Sequence, residues 1–96
     1  MKAVLVYSHK ALFQGRYVLE MTIHRVGKSS RYTEGIKYGL ILTDLQSKKR
    51  VLMDNHHPKG PHIRLDDREI AYEYSDEEKL VKDFKTLVFE NMGVKI

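Results

Sequence analysis

The chain predicts an α+β fold: an antiparallel sheet of four to five strands, joined as a meander, packed against one C-terminal helix. Three observations carry this. Apolar and polar residues alternate through residues 17–26 and again through 36–43, the period of a half-buried strand. Four strand-like runs follow one another before any helical pattern begins, the order of an antiparallel meander. Near the C-terminus the apolar spacing changes to that of a helix with one buried stripe.

Residues 3–7 form a short apolar run and a first strand, and Gln14-Gly15-Arg16 is a turn signal. The second strand places Tyr17, Leu19, Met21 and Ile23 on one face and Glu20, Thr22 and His24 on the other. Gly27-Lys28-Ser29-Ser30-Arg31 is a polar, basic loop. The third strand sets Ile36, Tyr38, Leu40 and Leu42 against Lys37, Gly39, Ile41 and Thr43. Residues 44–49 turn, 50–54 make a fourth strand, and 70–74 are a fifth strand or an extended arm. Ser75 with Glu78 reads as a capping box, and Asp76, Glu77 and Glu78 suit the positive end of a helix dipole. Leu80, Val81, Phe84, Leu87 and Val88 form the stripe, and Gly93 suits the C-terminal cap. A two-layer arrangement follows, because stripe and sheet face each need a partner.

At 96 residues the chain holds one domain, residues 1–96, with a core too modest to add a deep cofactor cavity. No cofactor is expected. A hydrophobic content of 42% beside 31% charged residues is that of a globular chain. The net charge of +4 favours acidic or phosphate-bearing partners. Cysteine is absent, which excludes disulfides, thiolate metal sites and a cysteine nucleophile. The first apolar run is too short for a secretory leader, and no run reaches the length of a membrane span. A cytoplasmic protein without membrane contact is expected.

The densest chemistry lies in residues 54–64, Asp-Asn-His-His-Pro-Lys-Gly-Pro-His-Ile-Arg. Three of the five histidines, His56, His57 and His62, stand here with Lys59 and Arg64. Pro58 and Pro61 bar regular ladder pairing, so the segment reads as a stiff loop after a strand. Imidazoles beside cations suit RNA cleavage by 2′-hydroxyl attack, which needs a base, an acid and positive charge for the phosphorane. A polar surface loop without chemistry is the plain alternative. A metal site built from Asp54, His56, His57 and His62 is a third reading, disfavoured because adjacent histidines point apart and no zinc motif is present. Glu20, His24 and Lys37 share polar faces of neighbouring strands and would lie beside the loop if those strands pair. Lys28, Arg31, Lys48, Lys49 and Arg50 add a general basic surface. No phosphate-binding glycine loop, nucleophile elbow or paired-carboxylate motif occurs.

The order of several short pieces resembles the TumE-type toxins of type II toxin–antitoxin modules. The resemblance runs through Leu19-Glu20-Met21, Gly35-Ile36-Lys37-Tyr38, Asp54-Asn55, Lys59-Gly60-Pro61-His62, Tyr72, Leu80 and Asp83-Phe84. It implies a toxin that acts on RNA, neutralised by a cognate DNA-binding antitoxin of the helix-turn-helix type. Homodimerisation is left open. The implied activity is that of a metal-independent ribonuclease, with His62, Lys59 and His57 as catalytic candidates. Arg64, Lys37, Arg50 and Asn55 are the candidates for phosphate or RNA binding. The family pattern reads Lys-Gly-Asp-His-x-His across this loop; Pro61 and Arg64 stand here in place of the Asp and the second His. A non-catalytic nucleic-acid or protein-binding module is the alternative.

Overall fold

The computed structural model describes residues 3–96. Six strands, β1 (Val4–Phe13), β2 (Tyr17–Arg25), β3 (Ile36–Asp44), β4 (Arg50–Asp54), β5 (His62–Leu65) and β6 (Arg68–Ala71), form one antiparallel meander in sequence order. The helix α1 (Glu77–Met92) closes the fold. The α+β architecture expected from the alternation is present, with one strand more than the largest number expected.

The extra strand comes from the histidine-rich segment. The prolines interrupt pairing only as far as Pro61. Beyond it, Ile63 and Leu65 are buried on the helix side while His62 and Arg64 face the other way. Residues 62–65 therefore alternate well enough to pair with β4, Asp54 opposite His62 and Leu52 opposite Arg64. The segment expected as one loop is thus a loop over residues 55–61 followed by a strand. Asp66, at φ 57, turns the chain into β6, and its carboxylate accepts from the Arg50 backbone N–H at 3.2 Å. β1 also extends further than residues 3–7, because its register with β2 continues to Phe13 opposite Tyr17.

The core lies between α1 and one face of the sheet. Leu19, Met21, Ile23, Tyr38, Leu40, Leu42, Val51 and Met53 supply the sheet side; Leu80, Phe84 and Val88, one residue per turn, supply the helix side and are fully buried. Burying a side chain of this size contributes about 1.5–3 kcal/mol, so α1 is held by packing more than by its intrinsic propensity. Asp76, not Ser75, caps the helix: its Oδ1 accepts from Lys79 N–H at 2.8 Å. Asp and Ser cap comparably well. Starting one residue later keeps Glu77 and Glu78 in the first turn without altering the buried stripe. Gly93 ends the helix at φ 67, donating its N–H to the Phe89 carbonyl as the expected left-handed cap.

Tyr72, between β6 and α1, donates its hydroxyl to Asp83 Oδ2 at 2.7 Å; Lys79 reaches the same oxygen at 2.6 Å. This ties the connecting segment to the helix surface. No helix among the described residues is long and apolar enough to cross a membrane.

Candidate functional site

The sheet face away from α1 is not covered by any element of the described residues. Strand register arranges its side chains in rows across the strands. One row runs Thr22, Gly39, Asp54, His62, Ala71; the next runs Lys10, Glu20, Ile41, Leu52, Arg64, Glu69. At the end of the face His24 lies opposite Lys37. The loop 55–61 rises beside these rows because β4 ends at Asp54 and β5 begins at His62.

Asp54 is the centre of this region. Its Oδ2 lies 3.3 Å from His56 Nδ1 and its Oδ1 lies 3.1 Å from His62 Nε2. The Oδ1 atom is buried and has no aligned hydrogen-bond donor among the described residues. His62 is itself buried, and its Nδ1 lies 2.9 Å from the Gly60 carbonyl. A carbonyl only accepts, so Nδ1 carries the proton of that bond. Both ring nitrogens of His62 therefore face protein acceptors, and His62 braces the loop against Asp54. His56, by contrast, keeps 59% of its side-chain surface exposed. With Nδ1 turned to Asp54, its Nε2 is the free nitrogen. The sequence favours His62 for its match to a pattern; the carboxylate behind His56 comes from the path of the loop where it leaves β4 at Asp54, two residues earlier.

Two clefts adjoin at His56. One, of about 300 Å³, is lined by Leu52, Asp54, His57, Lys59, His62 and Arg64 together with His56 and Pro58. The other, of about 310 Å³, is lined by Thr22, His24, Lys37, Tyr38, Gly39 and His56 with Ala3 and Val26. Strand pairing thus brings His24 and Lys37 beside the loop. Glu20 lies one row away and faces Lys10 at 3.6 Å.

Glu69 was not singled out in the sequence, yet it holds two of the candidate cations. Its Oε2 accepts from Lys59 Nζ at 3.0 Å and from an Arg64 guanidinium nitrogen at 3.1 Å. Lys59 first, and Arg64 second, hold the Glu69 carboxyl below the usual carboxylate range. Arg64 and Glu69 are directly opposite in the β5–β6 ladder, so only knowledge of that register could have paired them.

The remaining candidates are dispersed. His57 is exposed on the loop. Arg50 is exposed on the open face at the other end of β4 from Asp54. Asn55 is not presented to a ligand: it is buried, its Oδ1 accepts from Tyr38 N–H at 2.9 Å and its Nδ2 donates to the Ile36 carbonyl at 2.8 Å. Its side chain takes over hydrogen bonding to β3 where the β4 ladder has ended. Among the described residues no three His, Asp or Glu side chains converge in a way that would hold a metal ion.

No known protein family matches this chain, and neither does any curated protein or solved structure.

Proposed function

We propose that the chain is the toxin of a type II toxin–antitoxin module, that it acts on RNA in the cytoplasm, and that the open sheet face beside loop 55–61 is where RNA lies. The carrying observation is the pair of adjoining clefts, which gathers His24, Lys37, His56, His57, Lys59 and Arg64 on a face with no covering element. Imidazoles and cations concentrated on an accessible sheet match the needs of phosphate binding and of proton transfer at ribose. Lys37, Lys59, Arg64 and, further along, Arg50 bind phosphate in this reading. His57 and His62 border the cleft, His62 from a braced position. Asn55 belongs to the scaffold.

A helix-turn-helix antitoxin would neutralise the protein by covering this face or by adding to the β1 edge, where Val4, Leu5 and Leu12 are exposed. Expressing the full chain without an antitoxin is expected to arrest growth and shorten cellular RNA. Lys37→Glu should relieve arrest and lower the salt slope of RNA binding by about one phosphate contact. Unimpaired growth with folded protein present, and no salt-dependent RNA binding, would reject the proposal.

A non-catalytic binding module is favoured by one observation: His62, the histidine that the family-like pattern points to, turns both ring nitrogens to protein acceptors. Salt-dependent binding with RNA left intact after prolonged incubation would select that reading.

A further inference from the structure

We infer that His24 and His56, across the cleft floored by Gly39, form the acid–base pair of a ribonuclease acting through the RNA 2′-hydroxyl, with Lys37 holding the scissile phosphate. The inference rests on the RNA reading above and assigns the chemistry to residues outside the family-like loop pattern.

Four observations converge on this cleft. His24 and Lys37 are cross-strand partners on the open face, so their side chains stand next to each other. His56 enters from loop 55–61 and lines the same space. Asp54 lies behind His56 at Nδ1, as a carboxylate does when it orients an imidazole and leaves Nε2 to the reacting group. Gly39 sits opposite Asp54 in the ladder and has no side chain to fill the floor. A Cβ placed there would meet only Thr22 Oγ1, at 3.9 Å. A cleft of about 310 Å³ accommodates a ribose with its phosphate but not a folded substrate.

His62 contributes indirectly. Its Nδ1 bond to Gly60 fixes the ring, and its Nε2 lies 3.1 Å from Asp54 Oδ1, the carboxylate oxygen that does not face His56. It is a positioning residue.

The reaction closes without a co-reactant. His56 Nε2 takes the proton of the 2′-hydroxyl, and O2′ forms a bond to phosphorus. The bond from phosphorus to the 5′-oxygen breaks, and that oxygen receives a proton from His24. The products are a 2′,3′-cyclic phosphate and a free 5′-hydroxyl. Lys37 offsets the charge that grows on the phosphorane oxygens.

The test uses the full chain with single-stranded RNA oligonucleotides and their fully 2′-O-methylated counterparts. Wild type should cleave RNA to cyclic-phosphate ends and bind the methylated strand without cutting it. His24→Gln and His56→Gln should each lower kcat roughly 100-fold or more, with RNA affinity and Tm close to wild type, since both side chains are on the open face. Cleavage of the methylated strand, or variants within about threefold of wild-type kcat, would overturn the assignment while leaving an RNA-directed function standing. RNA neither bound nor cut by wild type would overturn both readings.

Discussion

Two aspartates end neighbouring strands of the same sheet, and their surroundings differ. Asp44 closes β3 and Asp54 closes β4, at opposite ends of the β3–β4 pairing. Asp44 is a completed staple. Arg16 engages it with two parallel bonds of 2.9 and 2.8 Å, and the backbone N–H groups of Gln46 and Ser47 donate to the same carboxylate. Arg16 holds the Asp44 carboxyl far below the usual carboxylate range, and the turn amides add to this. Asp54 has two histidines in reach and an oxygen with no aligned donor. A carboxylate with both oxygens accepting aligned hydrogen bonds locks a turn; one left partly unsatisfied beside an exposed imidazole retains capacity for chemistry. The contrast separates the scaffold end of the sheet from the end proposed to act.

Asn55 would break that contrast most strongly, because it puts a scaffold residue at the acting end. Asn55→Ala leaves a buried N–H of Tyr38 and a buried carbonyl of Ile36 unpaired. A loss of about 2–4 kcal/mol is expected, read as a fall in Tm of roughly 10–20 °C. A shift below about 3 °C would mean that Asn55 does not anchor β3.

Asp44→Asn and Asp54→Asn sharpen the comparison directly. The first should lower Tm by roughly 5–10 °C near neutral pH and leave RNA binding unchanged per folded molecule. The second should shift Tm less and abolish the function assigned to His56. The pH dependence gives a further check. The Asp44 carboxyl titrates lower in the folded chain than in the unfolded one, so its stabilisation is fully present above about pH 4. It is lost as pH falls toward the folded value. The Tm gap between wild type and Asp44→Asn should therefore narrow on acidification; a constant gap would remove the ion pair from the explanation. Glu69 and Asp83, whose carboxyls are also held low, add acid sensitivity of the same sign to both proteins.

Glu69→Gln is the smallest of these effects on stability. Its pairs with Lys59 and Arg64 are partly exposed, and Tm should move by less than about 3 °C. Releasing two cations should instead tighten RNA binding roughly threefold at low salt, and less at high salt. Unchanged RNA affinity would place the bound strand away from β5 and β6.

Much of the scaffold was legible in the sequence because it rests on short-range periodicity. The alternation of Tyr17 to Ile23 and of Ile36 to Leu42 told which face is buried, and Leu80, Phe84 and Val88 told which stripe covers it. The cap slipped by one residue because Ser75 and Asp76 are both good caps and only backbone geometry chooses between them. β5 was hidden by its prolines. Pro58 and Pro61 remove the ladder donor at their own positions, although the Pro61 carbonyl still accepts from Tyr72 N–H, and nothing local shows that regular pairing resumes at His62.

The candidate site was legible only as a collection of residue types. The sequence by itself determined the meander, the buried faces, the helix and the concentration of histidine and cation in residues 54–64. Tertiary structure decided which of these residues meet. Cross-strand register placed Asp54 beside His62, His24 beside Lys37 and Arg64 opposite Glu69. The path of loop 55–61 set His56 between the two clefts and turned Asn55 inward. The physical reason is range. Periodicity and caps act over a few residues, where the chain's own spacing dictates neighbours. The cross-strand ion pairs and the clefts join residues from 5 to more than 30 positions apart, whose contact depends on how many residues each turn spends before the next strand begins.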